Sequence, residues 1–186
     1  MIYYFFLYSP WAFNNDGNLP IIRMDWITIL QKAPWFGLAA MGFAVLYNVP
    51  ARTLFSIFIM GTLGGITKLI MLDLAFNVIV ASLVGAALIG FLSIPFAHKK
   101  HAPPPIFAIP AVIPMVPGIL AYRMMLGLIT LAGEINQEAY NQILSETINN
   151  GLKVMLILMS LAGGVGIPML ITRKESAKEI RFKRKR

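Results

Sequence analysis

Cysteine is absent from the 186 residues, which excludes disulfides, thiolate metal sites and cysteine nucleophiles. Charge is scarce too. Asp, Glu, Lys and Arg make up 13% of the chain, and only eight residues are acidic, where soluble domains carry roughly a quarter of charged residues. There is no HExxH pair, no nucleotide-binding glycine loop, no pair of carboxylates inside an apolar run and no nucleophile with a histidine at membrane depth. The sequence therefore carries no enzyme signature and implies no cofactor. Any transport by this chain must draw on a gradient or on another subunit.

What the chain has in abundance is hydrocarbon. Hydrophobic residues account for 58%, and the mean hydropathy is +0.71, which marks an integral membrane protein. The net charge of +8 does not point to nucleic acid, because half of the sixteen basic residues lie in the last fourteen positions. That tail is first a topology signal and second an anchor for anionic lipid.

The expected architecture is all-α and polytopic, with about five transmembrane helices. Residues 1–25 form an N-terminal extension, poorly ordered, ending in turn chemistry at Asn14-Asn15-Asp16-Gly17. Met24-Asp25-Trp26 reads as a chain start, so residues 1–23 are expected to be dispensable. The membrane domain covers 26–172, with spans at 27–47, 54–72, 75–97, 106–132 and 152–172. An amphipathic external segment fills 134–150, and 173–186 is a basic cytoplasmic tail.

The fourth span is the unusual one. Pro110, Pro114 and Pro117 fall within eight residues, followed by Gly118. Each proline lacks the N–H that a helix needs, so the carbonyls of Ile106, Pro110 and Ile113 lose their helical partners. At roughly 1.5 Å per residue, Pro114 to Gly118 lies about 12–18 Å into a hydrocarbon core roughly 30 Å thick. Irregular backbone at that depth survives only inside protein or beside a wet cavity. Pro117 suits the first position of a new half-helix, whose N-terminal dipole would favour an anion near the midplane. The alternative is a kink that only shapes packing.

Arg123, Gly127, Thr130 and Glu134 share one helical stripe running away from the break. An arginine there should face protein or water and find a partner, or else snorkel to the headgroups. Small residues mark helix-packing faces in the other spans, among them Gly61, Gly65, Ser82 and Gly85. Lys68 and Lys153 lie near the ends of their spans, where snorkelling is expected. His98 and His101 have a metal-compatible spacing but no carboxylate or cysteine beside them, so no metal site is assigned.

Counting Lys and Arg in alternate loops gives eleven on the side of Arg52, Lys99, Lys100 and the tail, against Arg23 and Lys32 on the other. The excess predicts an external N-terminus and a cytoplasmic C-terminus.

Gly42-Phe43-Ala44-Val45-Leu46-Tyr47-Asn48-Val49-Pro50-Ala51-Arg52, Ala81-Ser82-Leu83-Val84-Gly85 and Ala111-Val112-Ile113-Pro114-Met115-Val116-Pro117-Gly118 with Tyr122 closely resemble the threonine/serine exporter family (ThrE) in its YjjB-type small-subunit form. The resemblance covers roughly Trp26 to Arg173. It implies a multi-pass protein of the bacterial inner membrane, working beside a larger YjjP-type membrane subunit. It also implies export of small carboxylated metabolites, namely threonine and serine or succinate-like dicarboxylates, from the cytoplasm.

The residues themselves nominate Pro110, Pro114, Pro117, Gly118, Tyr122 and Arg123 for the pathway. Asn48, Pro50, Ser82 and Gly85 serve the pathway or its packing. Five spans are few for a complete alternating-access machine, so a partner or a homo-oligomer is expected. The rival reading is a non-transporting scaffold or regulatory subunit of a partner complex.

Overall fold

The computed structural model describes residues 26–133 and 137–183; the N-terminal extension, Glu134 and the side chains of the basic tail lie outside the described part. Its elements are α1 Trp26–Leu46, α2 Ala51–Asp73, α3 Val78–Lys100, α4 Pro104–Val112, a 3-10 turn Ile113–Met115, α5 Gly118–Leu131 and α6 Gln137–Lys183. Helices α1, α2, α3 and the Ala139–Ile171 stretch of α6 are each long and apolar enough to cross a membrane. The α4 and 3-10 segment forms a bent pair with α5 where the prolines cluster, so the described chain has four such helices, or five spans when the bent pair is counted as one. The described chain is thus an all-α, multi-pass membrane protein.

Local chemistry sets the turns. Helix α1 stops at Asn48, whose φ of 58° is left-handed, a conformation asparagine tolerates better than most residues. Pro50 then caps α2 with extended backbone, and its carbonyl accepts from both the amide and the hydroxyl of Thr53 at 2.9 and 2.7 Å. The next turn ends on Asn77, whose side chain accepts from the Ile79 amide at 3.1 Å and so caps α3. Pro104 and Pro105 start α4, where missing amides leave nothing unpaired.

The chain falls into two compact units. The described part of one is 26–116 with 157–183; that of the other is 117–133 with 137–156. In the first unit α2 packs on α1, α3 and α4, and α4 also touches α1 and α3. Lipid gives helices no hydrophobic reason to associate, so close backbone approach does the holding. A Cβ added at Gly164 of α6 would stand 2.8 Å from the Leu83 carbonyl of α3. Ser160 of α6 donates to the Ile79 carbonyl of α3 at 2.8 Å. Outward-facing residues such as Phe55 and Leu170 are apolar and exposed, as a lipid-facing surface requires.

Helix α6 runs unbroken for 47 residues, through the point at Gly151 where the sequence reading divides a surface segment from the last span. A mid-helix glycine is unfavourable by about 1 kcal/mol. Here the missing Cβ makes room for Met124 of α5, whose sulfur would lie 3.0 Å from it.

Candidate functional site

The break in the fourth span is built from three successive departures from the helix. Pro110 sits inside α4, the next turn tightens to 3-10 geometry over Ile113–Met115, and Val116 is extended at φ −63°, ψ 134°. The Ile113 carbonyl recovers a partner through the shorter loop, accepting from the Val116 amide at 3.0 Å. The Met115 carbonyl is satisfied from elsewhere in the fold. Lys68 Nζ, on α2, donates to it at 2.8 Å.

This placement corrects the expectation that Lys68 snorkels to the membrane edge. The side chain is fully buried, at 0% exposure. Helical side chains lean towards the N-terminus of their helix, so a lysine near the C-terminal end of α2 is directed back along the span. An ammonium held inside a span costs about 2.5–3.5 kcal/mol. A hydrogen bond made by a charged group contributes about 1.5–3 kcal/mol, so the bared carbonyl and the buried cation largely offset one another.

Around this contact the packing is close. Gly85 of α3 leaves a notch that the Met115 side chain fills, and a Cβ there would lie 3.0 Å from the Gly64 carbonyl and 3.5 Å from Lys68 Cβ. Met115 is itself fully buried. Ser82, one turn before Gly85 on the same face of α3, is at 0% exposure, and its hydroxyl makes no hydrogen bond. Of the residues nominated from sequence, Gly85 therefore belongs to this buried cluster, with Ser82 on the same face of α3, and Pro110 is buried within α4. Pro114 is half-buried. Asn48 and Pro50 are exposed and shape the turn between α1 and α2.

In the other unit, Pro117 is buried, Gly118 is exposed with open space where a Cβ would go, and Tyr122 is exposed. Arg123 lines a cleft of about 300 Å³ with Leu126, Gly127 and Thr130 of α5 and Ile143, Glu146, Thr147 and Asn150 of α6. The stripe Arg123, Gly127, Thr130 thus forms one wall, and Gly127 admits the Thr147 side chain between the helices. The cleft pairs an arginine with a glutamate and several neutral hydrogen-bonding groups. Such a set can hold a small molecule bearing both charges. Among the described residues, no group of three or more His, Asp or Glu could hold a metal ion. His98 Nδ1 lies 2.8 Å from the Ile94 carbonyl of its own helix.

Sequence reasoning missed Lys68 and the α6 wall of the cleft. The signal for Lys68 was its position on the face of Gly61, Gly64 and Gly65, at i+7, i+4 and i+3 spacing. A face of glycines is a packing face, so a lysine sharing it points inwards.

Several long apolar helices, with one interruption beside a buried lysine, define a polytopic membrane protein. The sequence profile of the threonine/serine exporter family, ThrE, matches residues 34–171, and the chain belongs to that family. A Haemophilus influenzae protein described only as uncharacterized is 30% identical over 159 residues, covering 85% of this chain and 52% of that protein. The chain thus spans about half the length of that relative. No solved structure matches it.

Proposed function

We propose that the chain is a membrane subunit of a secondary exporter that moves small carboxylated metabolites out of the bacterial cytoplasm. The observation that carries this is the interrupted fourth span, where the α-helix gives way to a 3-10 turn at Ile113–Met115 and to irregular backbone at Val116 and Pro117 inside an apolar run long enough to cross the bilayer. Family membership supports threonine and serine as substrates; succinate-like dicarboxylates are the second class with the same chemistry. The cleft bearing Arg123 and Glu146 suits an amino acid, which offers a carboxylate to the first and an ammonium to the second. Pro110, Pro114, Pro117, Gly118, Tyr122 and Arg123 line the pathway.

A larger membrane subunit completes the machine, since these crossings are few for alternating access alone. The protein resides in the inner membrane with its N-terminus outside, and the basic tail contacts anionic lipid on the cytoplasmic side. Full-length chain in liposomes, with and without the larger subunit, tests this with radiolabelled threonine, serine and succinate. Flux of at least one of these in the two-subunit vesicles is the expected result. Silent vesicles in every combination would instead favour a scaffold role. A reporter fused after Arg186 should score as cytoplasmic.

A further inference from the structure

The cleft between α5 and the first turns of α6 carries one cation and one anion on facing helices. Arg123 of α5 and Glu146 of α6 both line its space of about 300 Å³. Among the described residues, Arg123 makes no hydrogen bond or ion pair, and Glu146 accepts only from Gln142 Nε2 of its own helix, at 3.4 Å. That bond is long for a carboxylate, which holds a charged donor at roughly 2.7–2.9 Å. Two opposite charges that line one space without closing on each other are both open to whatever enters it. The groups beside them are neutral. Thr130 already donates to the Leu126 carbonyl at 2.9 Å, and Thr147 is buried against Gly127, where the absent Cβ lets the two walls meet. The volume falls at the small end of the roughly 300–1,000 Å³ range of ligand pockets, as a metabolite of a few carbons requires.

An amino acid and a dicarboxylate share one carboxylate, which a guanidinium takes in either case. They differ at the other end. The ammonium of an amino acid brings three N–H donors, whereas a second carboxylate brings only acceptors and another negative charge. Against Glu146 the ammonium gains a charge-assisted hydrogen bond, and the second carboxylate meets a like charge with no donor between them. We propose that Glu146 is the specificity-determining residue of the cleft, admitting amino acids such as threonine and serine and turning away dicarboxylates. Arg123 supplies the affinity that both classes share, and Glu146 supplies the difference between them, attractive towards one and repulsive towards the other.

This rests on the exporter reading for its choice of ligands, and the test keeps the two apart. Equilibrium binding of radiolabelled threonine and succinate is measured on the full chain in lipid nanodiscs, alone and with the larger subunit, at low ionic strength. The readout is the ratio of the two dissociation constants. Wild type should bind threonine more tightly than succinate. Glu146→Gln should shrink that preference about 3- to 10-fold, a moderate factor because an open cleft is screened. Glu146→Lys should reverse it, with succinate binding about tenfold or more tighter than to the wild type. Glu146 is exposed, so both variants should keep the wild-type unfolding temperature in detergent. Arg123→Gln should weaken both ligands and leave the ratio within about twofold. Wild type that binds neither ligand, or prefers succinate, overturns the proposal. So does a ratio unmoved in both Glu146 variants, or one that moves as far in Arg123→Gln as in Glu146→Gln. Binding that switches at Glu146 while two-subunit liposomes move no substrate supports the assignment and overturns the exporter reading. Threonine flux with a ratio indifferent to Glu146 overturns the assignment alone.

Discussion

Lys68 and Arg123 are both cations set in apolar helices, yet one is sealed and pinned to a backbone carbonyl while the other stands exposed in an open, polar cleft. Hydropathy treats them alike. Their surroundings separate them: Lys68 lies among glycines that let helices close around it, whereas Arg123 shares an open cleft with the polar side chains of Glu146, Thr130 and Asn150. A sealed cation is held by the fold that buries it, here through its hydrogen bond to the Met115 carbonyl. An exposed one is suited to first capture, where screening and exchange are tolerable. The difference teaches that the charge of a membrane residue says little until the helix face and its lean along the axis are known.

The contrast between a closed region and an open one can be broken at glycines. Gly164→Ala places a methyl 2.8 Å from the Leu83 carbonyl and from Ala86 Cβ. Overpacking of this sort should destabilise the protein by about 1–3 kcal/mol, visible as a lower unfolding temperature in detergent. Gly118→Ala meets open space and should leave that temperature unchanged. Equal effects at the two positions would dissolve the contrast.

Arg123→Gln sharpens it from the other side. An exposed capture charge should raise KM for threonine about 3- to 10-fold, a smaller change than a buried charge produces. The effect should fade as ionic strength rises, because the cleft is open to counter-ions. Transport kinetics at low and high salt check this, and a loss that persists undiminished at high salt would contradict the exposed-capture role. The smallest effect is expected at Ser160→Ala, which loses one hydrogen bond to the Ile79 carbonyl. That should cost about 0.5–1.5 kcal/mol in thermal unfolding without altering KM.

Much of this was legible in the sequence, and the reasons for the rest are physical. Apolar runs announce spans because hydrocarbon admits little else. The prolines announced the break, since Pro110, Pro114 and Pro117 each remove a helical donor. Arg123, Gly127 and Thr130 could be placed on one face by spacing alone. The opposite wall, with Ile143, Glu146, Thr147 and Asn150, looked like a surface helix, because polar residues facing a cleft have the composition of polar residues facing water. Gly151 read as a boundary, whereas its small size serves Met124. Which carbonyl Lys68 would reach depended on how α2 and α4 pack, and no local pattern encodes that.

The most direct test of the account is efflux through the two-subunit complex carrying Pro114→Ala together with Pro117→Ala, in protein shown to insert and to bind its partner normally. Restoring the missing amides should let the helix run through residues 113 to 118 and cut threonine or succinate efflux by about tenfold or more, in line with a loss of at least 1.4 kcal/mol in transition-state stabilisation. Efflux equal to the wild type from a straightened fourth span would contradict it, and the break would then be a packing feature alone.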